Sequence, residues 1–296
     1  MATEMSGPKD LLPNLKCADC ALRRHGLCGQ LSALTQARLA RISTPQTYLE
    51  DQNVWDSELG CELEGVLISG SLRIQSYRVG GQRQISGLML PGDFVSEPSG
   101  QRNAYQLEAS APAKFCRFER NGFRRLQEDA ADLARAVYTL RVIKLEQLRL
   151  LAWSLCALSI DERLCAFLAM ASRFMPYTPL PGGGGILTVG LKRADIADLL
   201  GTSQESISRI THRLAVRGVI RIHDPQHFEI PDLSRLVQMG GMQDSFASLR
   251  FAQSAFGQPP CTDRVRGAFA AIPAQIAPPP AGTRPALRRA ALFAPN

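Results

Sequence analysis

Residues 191–222, LKRADIADLLGTSQESISRITHRLAVRGVIRI, decide the reading of the whole chain. Ile196, Leu199 and Leu200 recur at helical spacing and give a first helix one apolar face. Gly201 ends that helix, because glycine takes the left-handed backbone of a tight stop without steric cost. Thr202 is a good N-cap for a second helix, with Glu205 three residues on at the capping-box spacing. In that second helix Ile207, Ile210 and Leu214 face inward. Glu205, Ser208, Arg209, His212 and Arg213 share the opposite, open face.

The open face places a carboxylate, a hydroxyl and a guanidinium within two turns of the helix start. A helix-turn-helix protein sets these positions against base edges in the major groove. Arg209 suits guanine O6 and N7, Glu205 accepts from cytosine N4, and Ser208 serves either base. Thr202 and Ser203, in the turn ahead, complete the set of candidate DNA contacts. Beyond the helix, 219–222 and 228–230 flank His223-Asp224-Pro225-Gln226 and read as a wing.

The chain has 296 residues, room for two domains at roughly 100–200 residues each. Hydrophobic residues make up 45%, enough to bury cores. The net charge of +7, with pI near 9.2, favours an anionic partner, although part of the excess sits in the tail. No leader-like or membrane-spanning apolar run occurs, so the expected setting is cytoplasmic with no membrane contact. No nucleophile–base or metal-hydrolase motif appears, and the expectation is a non-enzyme.

Eight cysteines in such a setting argue for metal or redox chemistry over disulfides. Cys17, Cys20 and Cys28 form a C-x2-C-x7-C pattern that can wrap one metal centre, with Arg23 and Arg24 nearby to lower their thiol pKa values. The fourth ligand comes from Cys116, Cys61 or His25. Four thiolates suit an iron–sulfur cluster; three with His25 suit zinc. A thiol oxidoreductase built on Cys17 and Cys20 would need a βαβ context, which is missing. Cys156, Cys165 and Cys261 read as packing or incidental residues.

From about Tyr48 to Phe118, short alternating runs (GVLISG, SLRIQSYRV, RQISGLML, AKFCRF) are punctuated by glycines, which predicts a β-roll or barrel. Between Gly92 and Ala113, Arg102 is the lone basic residue and Asn103-Ala104-Tyr105 follows it, which argues against a cyclic-nucleotide phosphate site. A Pro- and Gly-free run from Asp132 to Leu158 predicts one helix of about six or seven turns. Its near-heptad stripe of Val137, Leu140, Lys144, Leu148, Leu151 and Leu155 is the expected dimer seam. Residues 161–174 form a further amphipathic helix, and Pro176 to Gly185 reads as a flexible loop. The Pro-, Ala- and Arg-rich tail beyond Gly241 reads as disordered.

Cysteine loop, glycine-punctuated roll, long helix and helix-turn-helix occur here in an order that resembles the CRP/FNR superfamily of bacterial transcription regulators. Over residues 15–235 the chain is most similar to the oxygen-responsive FNR branch, through Glu205-x-x-Ser208-Arg209 and the cysteine trio with a distant Cys116. The resemblance implies an α+β fold with five parts. They are a cysteine-rich segment (1–30), a cyclic-nucleotide-binding-like jelly roll (31–128), a dimerisation helix (129–158), a winged helix-turn-helix (159–240) and a tail (241–296). It also implies a [4Fe–4S] cluster on Cys17, Cys20, Cys28 and Cys116. A homodimer would bind a TTGAT-type inverted repeat in double-stranded promoter DNA under low oxygen and contact RNA polymerase. The alternative is a regulator of the same fold with a haem or small-molecule effector and a structural zinc at the cysteines.

Overall fold

The runs GVLISG and SLRIQSYRV are one strand, β3 (Leu63–Tyr77), bent at Gly70, whose φ is 83°. The computed structural model describes residues 17, 20–57, 62–97, 105–181 and 184–242. On one side of β3 lies β6 (Gln106–Phe118), which carries β1 (Ser43–Tyr48) and β2 (Asn53–Asp56). On the other lie β4 (Arg83–Met89) and β5 (Phe94–Glu97). Every pairing among them is antiparallel. The interior fills with Trp55, Leu67, Leu72, Leu107 and Phe115, so the expected β-roll is present.

Two helices the sequence reading did not anticipate bracket the sheet, α1 (Ala33–Arg41) and α2 (Arg120–Asp129). Each buries only two residues, Thr35 with Leu39 and Phe123 with Leu126, too few for a periodic signal. Their caps are local: the Ser32 hydroxyl accepts from the Thr35 N–H, and the Glu119 carboxylate from the Asn121 and Gly122 N–H groups.

The long helix, α3 (Ala131–Ala157), forms as expected. Its inward face of Leu133, Ala136, Val137 and Leu140 closes over Val66, Phe94, Phe118 and Phe123. Phe94 and Phe118 stack on Phe123 with centroids 5.5 and 5.1 Å away. Such ring pairs add about 0.5–1.5 kcal/mol each beyond area burial.

After α3 comes α4 (Ile160–Phe174), begun by a complete Ser159–Glu162 capping box that stabilises it by about 1 kcal/mol. The segment 176–185 is not a free loop. It contributes β7 (Tyr177–Pro179) and runs into β8 (Gly185–Thr188), which continue the wing sheet in the order β7-β8-β10-β9. The glycine run had masked strands of three and four residues. The reading unit itself is α5 (Arg193–Leu200) and α6 (Gln204–Val216), followed by β9 (Arg221–Ile222), β10 (His227–Ile230) and α7 (Leu233–Met239). Phe167, Leu187, Ile196, Leu200, Ile207, Leu214, Phe228 and Leu236 form its core, and Ile85 of β4 joins them. The roll and the reading unit thus share apolar contacts. Cys61, Arg102, Cys261 and the proline-rich tail lie outside the described residues. Among the described residues no helix is long and apolar enough to cross a membrane.

Candidate functional site

Gly201 ends α5 with φ 65° and ψ 44°, the left-handed stop its place in the sequence requires. The Thr202 N–H then bonds the Ala197 carbonyl at 2.9 Å, so Thr202 belongs to the turn and not to the cap. Ser203 is the N-cap of α6, its hydroxyl accepting from the Ser206 N–H at 3.2 Å. Two adjacent hydroxyls made the two positions equivalent on paper; the hydrogen bonding of the Gly201 stop decides between them. Ile207, Ile210, Thr211 and Leu214 are buried, and Glu205, Ser208, Arg209, His212 and Arg213 are exposed.

Two of the exposed groups are held by surface neighbours. Arg209 donates to the Ser206 hydroxyl at 3.1 Å, one turn back. Arg213 pairs with Asp161 at 2.7 Å, both half exposed. The helix-start N–H beside Glu205, then the Ser203 hydroxyl, hold the Glu205 carboxyl below its usual range, with Arg209 adding to the effect. Glu205 therefore presents a charged acceptor in the exposed first turn of α6. The wing turn is fixed by Asp224, which accepts from the Gln226 and His227 N–H groups at 2.8 and 2.9 Å. Arg193 anchors α5, lying over the Phe228 ring and donating to Thr211.

Arg209→Ala should cost about 1–3 kcal/mol on a selected duplex and relax preference at one guanine. Anisotropy titrations against single-base variants of that duplex check it. Uniform weakening on every sequence would make Arg209 a phosphate contact instead.

The second site forms where the chain enters the roll. Short 3-10 turns at Ala21–Arg24 and Cys28–Gln30 seat Leu22, Leu27 and Leu31 in the same core as Leu133, Val137 and Leu140 of α3. Gln36 of α1 donates to the Cys28 carbonyl at 2.7 Å and fixes the second turn. Cys116 stands opposite Pro45 of β1 and Val66 of β3 in the register. At Gly65, which precedes Val66, a Cβ would lie 2.2 Å from the Cys116 carbonyl oxygen, so only glycine permits this strand approach.

Cys17, Cys20, Cys28 and Cys116 stand within electrostatic range of one another. Burial, then the neighbouring Cys116, Cys20 and Cys17, push the Cys28 thiol from 9.0 to about 12. Burial also lifts Cys116 to about 11; the Ser43 hydroxyl opposes that shift, and Cys17 and Cys20 add to it. Burial raises Cys20 as well. At Cys20 and Cys28 the expected lowering by Arg23 and Arg24 is overturned: desolvation by the apolar core dominates. The donor set is four soft thiols, with Cys20, Cys28 and Cys116 half-buried and Cys17 exposed, which fits an iron–sulfur group in kind. Among the described residues no three His, Cys, Asp or Glu side chains stand close enough to hold a single metal ion.

A thiol whose pKa rises on folding stabilises the folded, metal-free chain below about pH 9 and loses that contribution as pH climbs toward 12. Thermal melts of the metal-free chain should therefore fall steeply above pH 9, and less steeply for Cys28→Ser. Equal slopes would refute the burial of this thiol.

On α3 several residues of the expected seam are covered by the chain itself. Val137 and Leu140 are buried in the chain's own core, and Leu151 packs against the reading unit's core. Lys144 donates to Asp93 at 2.7 Å and to the Leu88 carbonyl. Leu148 is exposed and Leu155 half-buried. The exposed large side chains Tyr138, Leu145 and Trp153 lie on a different face, centred about 130° from that stripe at 3.6 residues per turn.

The winged helix-turn-helix on an antiparallel roll defines a DNA-binding regulator. Residues 162–239 match the Crp-like helix-turn-helix domain. The transcriptional activator protein FnrL of Cereibacter sphaeroides is 26% identical over 228 residues, 76% of this chain and 92% of that one. The nitrogen fixation regulation protein FixK of Bradyrhizobium diazoefficiens is 28% identical over 207 residues, 70% of this chain and 86% of that one. The structure of FixK2 from Bradyrhizobium japonicum superposes with a TM-score of 0.60 at 21% identity, covering 67% of this chain and 97% of that one. A CooA mutant from Carboxydothermus hydrogenoformans gives 0.57 at 18% identity, covering 71% and 90%; both likenesses concern the fold. The chain thus carries a Crp-like helix-turn-helix domain over residues 162–239, and over about three quarters of its length it is similar to transcription regulators of the FnrL and FixK kind.

Proposed function

We propose that the chain is an FNR-type oxygen-responsive regulator that holds a [4Fe–4S] cluster on Cys17, Cys20, Cys28 and Cys116. The observation that supports this is Cys116 on β6, which lies within electrostatic range of Cys17, Cys20 and Cys28 although 88 or more positions separate it from them. When bound, the cluster supplies an oxygen-labile tie between the N-terminal loop and the sheet. Leu22, Leu27 and Leu31 pass the loop's position directly to Leu133, Val137 and Leu140, so the state of the tie reaches α3. A bias of ~1.4 kcal/mol there changes a monomer–dimer constant tenfold.

In this reading α3 pairs with a second copy through Tyr138, Leu145 and Trp153. The homodimer sets two α6 helices about 34 Å apart on a TTGAT-type inverted repeat under low oxygen, and RNA polymerase is the further partner. The similarity to the transcriptional activator FnrL, and to a transcriptional activator of Rhizobium leguminosarum 28% identical over 233 residues, supports an activating role.

Anaerobic purification with absorbance, iron and sulfide assays tests the reading. A broad band near ~400 nm, about four irons and four sulfides per chain, and bleaching in air are expected. About one zinc and no sulfide would overturn it and leave a same-fold regulator with a haem or small-molecule effector.

A further inference from the structure

The roll meets the reading unit through charges that neither cysteines nor DNA contacts explain. On β3, Leu72 and Ile74 fill the apolar interior while Arg73 between them points outward, yet it is only 3% exposed because α5 covers it. Its guanidinium donates to both oxygens of Asp195 at 3.0 and 2.9 Å, to Asp51 at 2.7 Å, and to Glu108. Arg83 of β4 reaches Asp195 at 2.5 Å and Asp198 at 2.8 Å. Gln84 adds a bond to the Asp198 carbonyl at 2.7 Å. The Asp195 side chain has no solvent exposure at all.

At the edge of this interface, Lys192 pairs with Asp51 at 2.7 Å and Glu50 at 3.0 Å. Lys192 is the N-cap of α5, the first helix of the helix-turn-helix. That helix crosses the phosphate backbone when the second lies in the major groove. The sensor's turn therefore sets two carboxylates against a lysine placed for DNA phosphates. Asp51 holds this pose with φ 64°, the one positive φ at a non-glycine residue among the described residues.

We propose that the Glu50–Asp51 turn is a phosphate mimic that withholds Lys192 from DNA, while Arg73 and Arg83 clamp Asp195 and Asp198 to keep the reading unit in that position. Binding exchanges the two carboxylates for backbone phosphate and lifts α5 off the roll. The clamp is suited to opening. Its charges return to water when it parts, which offsets much of the lost attraction. Closed, it leaves Arg73 Nε and Gln75 Oε1 buried without a hydrogen-bond partner, a penalty that opening removes. The inference rests on DNA binding by α6 and does not depend on the cysteine site.

The test uses the full chain and a random-sequence duplex, titrated at several salt concentrations. Glu50→Gln with Asp51→Asn should tighten binding about three- to tenfold. The log K against log salt slope should steepen by about 0.9, one further phosphate contact. Both sites are exposed, and Asn accepts the left-handed backbone of residue 51, so the fold is kept; circular dichroism melts check this. In a Lys192→Gln background the same pair should give no gain. Unchanged affinity in the double variant, or an equal gain without Lys192, overturns the proposal, the latter as a general charge effect. No binding by either chain to any duplex at low salt would instead remove the DNA-binding reading, and this inference with it.

Discussion

Cys116→Ser should give a folded chain that carries almost no iron. The serine hydroxyl is close in size to the thiol, and Cys116 is only half-buried, so melts should move by no more than about 1 kcal/mol. The hydroxyl is a poor ligand for iron held by thiolates, and three cysteines on one loop cannot replace a ligand fixed in the sheet. Anaerobic iron and sulfide assays should fall from about four per chain to near zero, the ~400 nm band should vanish, and affinity for the inverted repeat should drop to its air-exposed level. Full occupancy in this variant would transfer the fourth position to Cys61 or His25. Lost iron with unchanged DNA binding would separate the cysteine site from control of α3.

How much of this was legible in the sequence depends on the range of the interaction involved. Local rules sufficed for α5, Gly201 and α6, because three-residue spacing and one left-handed glycine are properties of adjacent residues. They also placed α3 to within a residue at each end. They failed by one residue at the α6 cap, where Thr202 and Ser203 offer the same hydroxyl. They failed on β7 and β8, whose few residues flank a glycine run. The clamp was invisible, since Arg73 and Asp195 are separated by 122 positions and each alone reads as a surface charge. The direction of the cysteine shifts was also hidden: nearby arginines promise lowered thiols, and only the packing of Leu22, Leu27 and Leu31 shows that burial prevails.

The same limit explains the face of α3, where two substitutions should act in opposite ways. Apolar residues occur on three sides of this helix, and spacing alone cannot say which side the chain itself covers. Lys144 sits within the stripe expected to pair two copies, and a leucine there would be expected to favour dimers. In the structure its ammonium neutralises Asp93, whose side chain is 6% exposed and also accepts from the Leu90 N–H at 3.0 Å. Lys144→Met strands that carboxylate and should cost about 3 kcal/mol in denaturant melts, with no gain in association. Leu145→Lys, on the outward face, should leave the stability of the single chain within about 0.5 kcal/mol. It should also weaken self-association more than about a hundredfold, because each of two copies loses a buried leucine of about 1.5 kcal/mol and gains a like charge at the seam. Sedimentation equilibrium on both variants decides between the faces. Dimers that survive Leu145→Lys and tighten with Lys144→Met would return the seam to the stripe from Val137 to Leu155 and imply that α3 rotates away from the roll to pair.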